Sequence, residues 1–411
     1  MHHTGYFGVH QMPDTLPLGK NLSREDMIKR AKDLVPILRL RAQQAASERC
    51  VPKETMNDFH RTGLLRIAQP LRYGGLELGW DVLCEISQLL AAADGSQAWI
   101  QRIIADHAQM VATFPAEAQE EVWLKNPAAV ICAAFDPVGK AMPVKGGFQF
   151  SGKHGFSSGI DYADWLICGG YIVSKTKKDG PHFFLVARKD VTLLDDWDTI
   201  GLEGTGSRSF VVQDAFIPKH RFLDGAKARV GKGPGTKINK AAVYRTPRGG
   251  VTSTGFAALT VGIAQGVLEE WLRFTVPRKS RGVVLAEEPG TQQILGRSSA
   301  EISAAEALYY GTISRAMRVL EKRKSLTEFD LVTARRNVGF SAKLALKAGT
   351  RLFNAAGGRA LFKSGSLERQ YRNLLGAASH HALVWERHSI DFGRALFKTK
   401  TRLYESEVSE F

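Results

Sequence analysis

The chain has 411 residues, of which 44% are hydrophobic and 24% are charged. This length exceeds one ordinary hydrophobic core and suits two or three packed domains. Its 40 glycines and 15 prolines are ordinary for a globular chain, which excludes a disordered or fibrous protein. The formal net charge of +15 leaves open a nucleic acid, a membrane surface or an anionic small molecule as partner.

Three features bear on the cellular compartment. Residues 1–14 lack a basic start followed by an apolar stretch, so we expect no secretory signal. No apolar run reaches the roughly 18–20 residues of a membrane-spanning helix, so we expect no membrane span. The four cysteines are widely spaced and include no CxxC pair. They indicate reduced thiols in a cytoplasmic protein rather than disulfides or a zinc site.

The positive charge is dispersed except in residues 219–250, where nine lysines and arginines accompany one acid, Asp224. Glycine and proline interrupt this basic segment, so a loop is predicted. It is either a solvated linker or a surface that attracts a phosphorylated cofactor or an acidic substrate. Nucleic acid is disfavoured, because no helix-turn-helix, zinc-finger or aromatic RNA-binding pattern accompanies the charge.

The first zone, residues 1–126, has helical periodicity. Ser23 and Asp26 resemble a capping box that opens a long helix, which Pro36 should kink. A short helix should end near Gly63. Two apolar helices are predicted after it, Trp80–Ala93 and Ser96–Phe114, separated at Asp94–Gly95.

The second zone, residues 127–235, alternates short apolar runs with glycine turns, which predicts a compact antiparallel sheet in a small barrel or sandwich. The third zone, residues 236–411, predicts a four-helix bundle. Its helices are expected at Thr252–Val276, Gly290–Lys322, Thr327–Ala355 and Ser366–Lys398. The order helices, sheet, bundle defines an α+β protein. No GxGxxG motif follows a predicted strand, so a dinucleotide-binding Rossmann sheet is disfavoured.

Candidate chemistry first appears after the hairpin turn at Gly146–Gly147. Phe156, Ser157 and Ser158 cluster there, and Trp165 follows closely. Small hydroxyls beside an aromatic ring suit a planar heteroaromatic cofactor, since a hydroxyl can bond a ring nitrogen while the aromatic packs on the ring. An ordinary hairpin with serines in its turn is the alternative.

Three histidines lie on predicted helices. His107 follows Trp99 by eight residues, and His380 and His381 fall within the last bundle helix. Each could be a surface or satisfied core histidine, or a group that binds or deprotonates a substrate. No partner stands at a metal-ligand spacing such as HExxH, so no metal site is predicted.

Two further segments suit phosphate. Arg278 is followed by Gln292 at a helix start, and Gly357–Gly358 separates two bundle helices. Basic side chains and exposed backbone N–H groups both bind phosphate, although a glycine pair after a helix is often only a cap.

Taken together, these segments resemble the acyl-CoA dehydrogenase fold. The resemblance covers residues 23 to 397. It is closest to the branch of two-component flavin-dependent monooxygenases, such as the hydroxyphenylacetate, hydroxysteroid and dibenzothiophene monooxygenases. The motifs that carry it are LLRIAQPLRYGGLELGW, GGFQFSGKHGFSSGIDYADW, WDTIGLEGTGSRSFVVQDAFIP, RKSRG and AAGGRALFKSGSLERQYRNLLGAASHH.

The reactive position favours the monooxygenase branch. Dehydrogenases of this fold commonly place a glutamate base after the position of Arg372–Asn373, where this chain reads LLGAASHHALVW. The resemblance implies that His380 is the active-site histidine, with His381 as its rival. It further implies that Ser158 lies at the flavin N5 edge and that His107 lies near the substrate.

The resemblance also implies the reaction. Reduced flavin (FMNH2 or FADH2) from a separate NAD(P)H-dependent reductase would react with O2, and a C4a-hydroperoxyflavin would hydroxylate a phenol- or indole-like substrate. The catalytic residues implied are His107, Ser158 and His380. The flavin-binding residues implied are Phe156, Ser157, Ser158, Arg278, Gln292, Gly357 and Gly358. The substrate-binding residues implied are Trp99, His107 and His381.

Several alternatives stay open at this level. Arg281 stands where the dehydrogenases usually carry phenylalanine, and His154 where many monooxygenases carry tryptophan, which leaves FMN and FAD both possible. The family assembles as homotetramers, in which the Gly357–Gly358 loop reaches a neighbouring subunit's flavin. An FAD-dependent acyl-CoA dehydrogenase and a non-catalytic relative are the alternatives in function.

Overall fold

The computed structural model describes residues 22–174 and 178–408, and side chains as far as residue 399. Five helices precede the sheet within the described residues. They are α1 Arg24–Glu48, α2 Lys53–Thr62, α3 Trp80–Ala91, α4 Gly95–Val111 and α5 Ala116–Trp123. The predicted capping box is confirmed, because Ser23 and Asp26 exchange side-chain and backbone hydrogen bonds. Helix α1 runs on through Pro36, and α2 ends at Gly63, whose φ of 79° lies in the left-handed region that favours glycine.

Helix α4 is buried on every side. All of its 17 residues are buried, including polar ones. Asp94 caps its first turn by accepting a hydrogen bond from the Gln97 backbone N–H at 2.9 Å. A helix enclosed by other elements presents different strips to each of them, so α4 can hold functional side chains in fixed positions.

The central zone forms a seven-stranded sheet within the described residues. Its strands are β1 Ile131–Val144, β2 Gly147–His154, β3 Trp165–Val173, β4 Lys178–Ala187, β5 Val191–Leu193, β6 Phe210–Pro218 and β7 Phe222–Leu223. Their order across the sheet is β5-β6-β2-β1-β3-β4-β7. The predicted turn is confirmed, because Val144 pairs with Gly147 across a tight hairpin.

The prediction of an antiparallel sheet is wrong for one strand pair. Strands β1 and β3 run parallel, with Ile131 opposite Trp165. The physical reason is the connection at residues 155–164, which carries the chain from the end of β2 back to the start of β1 before β3 begins. This crossing connection contains Ser157 and Ser158.

The basic segment is less irregular than predicted. It contains the short helix α6 Gly225–Arg229 and the 3-10 turns Pro234–Lys237 and Ala242–Arg245. It is anchored to the end of α4, because the Asn239 amide donates a hydrogen bond to the carbonyl of Ala112 at 2.8 Å. It is therefore a packed connection rather than a free linker.

The third zone begins with long helices and the small hairpin between them. These are α7 Thr254–Thr275, β8 Lys279–Ser280, β9 Val283–Val284, α8 Pro289–Glu321 and α9 Glu328–Ala356. The three long helices match the predictions within two residues at each end. Buried residues from Met27 to Leu383 form one continuous hydrophobic cluster that crosses all three zones.

The prediction of a single final helix, Ser366–Lys398, is wrong. The chain forms α10 Ser366–Ala378 and α11 Trp385–Val408, with a 3-10 turn at His381–Leu383 between them. No proline or glycine marks the break. Tertiary contacts decide it, because His380 turns onto the first turn of α7 and Leu383 is buried below it. The interrupted helix places His380 at a bend instead of on a helical strip.

Candidate functional site

One strip of α4 carries the first site residues. Trp99, Ile103 and His107 are spaced four residues apart, so their side chains lie on the same side of the helix. Each is less than a tenth exposed. Because His107 lies eight residues after Trp99, it is displaced by about 12 Å along the helix axis.

A chain of buried hydroxyls meets this strip at Trp99. The Trp99 indole N–H donates to Ser158 Oγ at 3.1 Å, and Ser158 Oγ lies 2.8 Å from Ser207 Oγ. Ser207 Oγ lies 2.7 Å from Thr205 Oγ1, whose hydroxyl donates to the carbonyl of Leu202. The network fixes the side chain of Ser158, and Thr205 and Ser207 are site residues that sequence reasoning did not single out.

The residues before Ser158 take two different orientations. Phe156 has a φ of 58° and is 79% exposed, and its ring lies edge-on to Trp197. Ser157 is fully buried, and its Oγ has no hydrogen-bond partner among the described residues. A buried hydroxyl without a partner is costly unless a ligand completes it. Trp165 is not part of this group, since its ring packs under Arg221.

His380 completes the group from the other side. Its ring stacks on Phe256 with centroids 3.8 Å apart and meets Trp99 edge-on at 5.6 Å. Its Nδ1 accepts a hydrogen bond from the Ala382 backbone N–H at 3.2 Å. In the neutral ring the proton therefore lies on Nε2. Burial, with the neighbouring His381 and Arg102, lowers the pKa of His380 to about 3, so the ring is neutral at physiological pH.

His381 is exposed, with its ring 4.4 Å from that of His380. No contact of its ring with Trp99 or Phe256 is present in the described part of the chain. The structure thus brings together Trp99, Ser158 and His380, and leaves His381 at the outer side of His380. Phe256 is a further site residue that the sequence analysis missed.

His107 faces the sheet. Its Nδ1–H donates to the carbonyl of Ile131 at 2.9 Å, and Phe135 lies edge-on to its ring. Burial lowers the pKa of His107 to about 4. The neutral ring therefore keeps a free lone pair on Nε2, which can accept a hydrogen bond or a proton.

Buried charges lie on the neighbouring strip of α4. Arg102 pairs with Asp106 at 3.1 Å, and Asp106 also pairs with Arg248 from the basic segment. Burial raises the pKa of Asp106, but Arg248 and Arg102 outweigh it, and the pKa lies below its usual value. Since Asp106 is ion-paired on both sides, it is not placed to remove a proton from a substrate.

The predicted phosphate residues lie elsewhere. Arg278 donates from Nη1 to the carbonyl of Ala356 at 3.0 Å, directly before Gly357. Gly357 and Gly358 have open space where a Cβ would stand, and Gln292 is exposed. The structure therefore places these four residues at one end of α7, whereas Phe256 and His380 lie at the other end. Nineteen residues of helix separate Phe256 from Thr275, which is about 28 Å.

None of the described helices combines the length and apolar character needed to cross a membrane. No group of three or more His, Cys, Asp or Glu side chains is placed to hold a metal ion in the part of the chain that is described.

Comparisons with known proteins identify the family. Residues 31–130 match the acyl-CoA dehydrogenase N-terminal domain, and residues 254–385 match the acyl-CoA dehydrogenase C-terminal domain. The oxygenase subunit HsaA of a flavin-dependent monooxygenase from Mycobacterium tuberculosis is 30% identical over 369 residues, covering 89% of this chain and 93% of HsaA. The oxygenase component of the FADH2-dependent resorcinol hydroxylase of Rhizobium is 29% identical, covering 88% and 91%.

Solved structures agree with these sequence comparisons. The crystal structure of HsaA from M. tuberculosis superposes with a TM-score of 0.88 at 29% identity and covers 92% of this chain and 98% of that one. The crystal structure of the 3-HSA hydroxylase from Rhodococcus superposes with a TM-score of 0.87 at 29% identity, covering 91% and 97%. This chain therefore belongs to the acyl-CoA dehydrogenase superfamily, in its branch of flavin-dependent monooxygenase oxygenase components.

Proposed function

We propose that the chain is the oxygenase component of a two-component monooxygenase, which hydroxylates a small aromatic or heteroaromatic substrate with O2 and reduced flavin. The observation that carries the proposal is the neutral His380, whose Nε2–H is directed by the bond at Nδ1. No hydrogen bond or ion pair of His380 or Ser158 involves a carboxylate within the described residues. An acyl-CoA dehydrogenase needs such a base, so that alternative is disfavoured.

The residues present fit a flavin. Trp99 and Phe256 offer aromatic surfaces, and the unpartnered Ser157 hydroxyl and the fixed Ser158 hydroxyl are donors or acceptors for a ring edge. Phe156, whose ring is exposed, would cover the outer side. When bound, reduced flavin supplies the electrons that activate O2, one oxygen atom of which enters the substrate.

The side chains have distinct roles in this proposal. Ser158 orients the flavin edge, and His380 donates its Nε2–H to the oxygen that is transferred. His107 accepts the proton of a substrate hydroxyl at Nε2, since the Ile131 carbonyl holds its other nitrogen as the donor. Trp99 and His381 contact the substrate. Trp99, His107 and Ser158 are each less than a tenth exposed, and their burial would limit the access of water to the site.

The separation of about 28 Å along α7 supports an oligomeric site. We propose that Arg278, Gln292, Gly357 and Gly358 bind the phosphate end of a flavin held mainly by a neighbouring copy, in a homotetramer. The open space at both glycines and the exposed Gln292 leave this surface free within one chain. FAD is the favoured flavin, because a second phosphate extends the molecule toward that surface and a relative is named as FADH2-dependent.

The proposed substrate and partner follow from the relatives. Others among them are a p-hydroxyphenylacetate 3-hydroxylase and an indole-3-acetate monooxygenase. We favour a phenol- or indole-like substrate, and an NAD(P)H-dependent flavin reductase as the separate partner. Lys232, Lys237 and Lys240 form no ion pair in the described structure, and these cations would attract an anionic substrate or reduced flavin.

The unpaired cysteines support a reducing compartment, and we propose the cytoplasm. Cys84, Cys132 and Cys168 are buried and free. Burial raises the pKa of the Cys84 thiol to about 12, so it stays protonated and unreactive.

The experiment that tests the function mixes the protein and photoreduced FMN or FAD with oxygenated buffer and follows flavin absorbance, together with product and peroxide from a panel of phenols and indoles. We expect flavin reoxidation to be slower than for free flavin, and one or more phenols or indoles to gain a hydroxyl group. Reoxidation at the free-flavin rate with oxidation of acyl-CoA thioesters would overturn the proposal in favour of the dehydrogenase.

A further inference from the structure

Arg102 is a cation with no access to water. Its side chain is 0% exposed and lies on α4, one turn after Trp99. Its Nη2–H donates to the carbonyl of Thr252 at 2.9 Å, directly before α7, and its Nη1 pairs with Asp106. Arg102 therefore joins α4 to the start of α7.

The charges around Arg102 do not balance. Asp106 is shared by Arg102 and Arg248, so one buried carboxylate faces two guanidinium groups, of which Arg248 is 16% exposed. The Arg102 Nε atom has no hydrogen-bond partner among the described residues. Burying a cation without full compensation is unfavourable for stability, because the charge loses its hydration. Such a group is expected to contribute to function rather than stability.

The backbone is shaped to admit this guanidinium. A Cβ on Gly255 would lie 2.4 Å from Arg102 Nε and 2.8 Å from its Nη2. Any side chain at position 255 would therefore displace Arg102. The glycine is required here by close approach, since the first turn of α7 passes directly over the guanidinium.

Phe256 lies between Arg102 and His380 and contacts both side chains. The guanidinium carbon of Arg102 lies 4.0 Å from the centre of the Phe256 ring, which in turn stacks on His380 with an interplanar angle of 23°. A cation is attracted to an aromatic face, and the attraction is stronger when both groups are desolvated. Phe256 is thereby fixed, and with it the imidazole that rests on it.

Charge acts in the same direction as packing. The titratable or charged groups that act on His380 are His381 in its own turn and Arg102 from α4. Helix α7 contributes the uncharged Phe256, and α9 approaches this turn through Gly339. Arginine stays protonated at every physiological pH. Its positive charge therefore always disfavours protonation of the nearby His380 ring.

We propose that Arg102 is a positioning residue for His380: through Phe256 it holds the imidazole in the one orientation in which Nδ1 accepts from the Ala382 N–H, and its charge opposes protonation of the ring. The inference rests on the proposed role of His380 as the donor to the transferred oxygen. It assigns a function to a buried cation that touches neither flavin nor substrate.

The test compares two matched variants in flavin-free protein. Arg102→Met removes the cation that covers Phe256, and Arg248→Met removes the other cation on Asp106, so each leaves Asp106 with one arginine. Long-range proton–nitrogen NMR of 15N-histidine protein reports tautomer and charge, with His380→Asn used to assign the His380 signals. Circular dichroism and urea unfolding establish that each variant is folded.

We expect His380 in Arg102→Met to begin protonating at a higher pH than in the wild type, and to show exchange between both neutral tautomers. Arg248→Met should leave the His380 signals as they are in the wild type. A folded Arg102→Met protein whose His380 titration and tautomer match the wild type would overturn the inference.

A second variant decides the question if Arg102→Met does not fold. Phe256→Leu removes the ring that joins the two side chains while Arg102 stays paired with Asp106. Tautomer exchange at His380 supports the inference, and an unchanged single tautomer overturns it. Because both readouts use protein without flavin or substrate, their failure is distinguishable from a failure of the proposed monooxygenase activity, which the oxygen-mixing experiment measures separately.

Discussion

At the scale of single residues, hydrogen bonds define the chemistry of each histidine. His380 accepts at Nδ1 and His107 donates at Nδ1, so the two neutral rings offer opposite groups at Nε2: a donor on His380 and an acceptor on His107. Burial keeps both rings neutral by lowering the pKa of each. His380 can thus donate a hydrogen bond to an oxygen atom, while His107 can accept a proton from a second group.

The donor role of His380 leads to a first prediction. His380→Ala should lower the yield of hydroxylated product by about 10²-fold, the low end for removal of a proton donor, and raise peroxide release correspondingly. The measurement is product and peroxide formed per flavin oxidised. His381→Ala is the comparison variant: its ring lies outside the contact with Trp99 and Phe256, so the loss of a substrate contact should raise KM more than it raises peroxide release per flavin oxidised. If product yield fell more in His381→Ala than in His380→Ala, His381 and not His380 would be the donor, and the prediction would be wrong.

At the scale of an element, strand β2 ends in another buried histidine, His154. His154 is stacked between Phe150 and Phe210, and neither ring nitrogen has a hydrogen-bond partner among the described residues. Burial lowers the pKa of His154 from 6.5 to about 4. The folded sheet therefore excludes the protonated ring, which the unfolded chain accepts freely.

The buried neutral ring of His154 predicts that acid destabilises the fold. Because the pKa is lower in the folded state, the unfolded state binds more protons between about pH 6.5 and 4, and the free energy of unfolding falls as the pH falls through that range. At pH 5, titration of His154 lowers the free energy of unfolding by on the order of 2 kcal/mol relative to neutral pH.

The variant His154→Leu tests it. The free energy of unfolding, measured with urea at fixed protein concentration between pH 4.5 and 7.5, should fall less steeply with acidification than in the wild type. Lys153→Leu is the matched control on the same strand, and it should keep the wild-type slope. Equal slopes in all three proteins would show that His154 is not the titrating group.

At the scale of the whole molecule, the flavin-binding residues divide into two sets at opposite ends of α7. Ser158 and His380 lie at its start, and Arg278 and Gly357 lie beyond its end. One continuous hydrophobic core crosses the predicted domain boundaries at residues 126–127 and 235–236. The division into three domains stays a prediction. The two sets form one site only if copies of the chain associate.

Association predicts complementation between inactive variants. His380→Ala and Arg278→Ala each lose one half of every site, so mixed oligomers of the two, formed by co-expression, should contain some sites with both halves intact. Hydroxylation by the mixture should exceed the sum of the two separate variants several-fold. Activity of the mixture no greater than that sum, in oligomers shown to contain both chains, would place all flavin contacts within one chain.

Local signals in the sequence account for much of the architecture of this protein. Helix caps such as Ser23 and Gly63, the hairpin turn at Gly146 and the periodicity of α7 to α9 are local signals, because each depends on residues within a few positions of one another. The motifs that carried the resemblance to the family are also contiguous stretches, and the comparisons confirmed that family.

The remaining features depend on contacts between residues that are distant in the sequence. The end of α10 at His380 has no local breaker and results from packing on Phe256, while the parallel pairing of β1 and β3 results from where the crossing connection returns. Likewise, Arg102 and Ser207 meet the site across long stretches of chain. A one-dimensional pattern cannot show such contacts, because their energy depends on which distant groups are buried together.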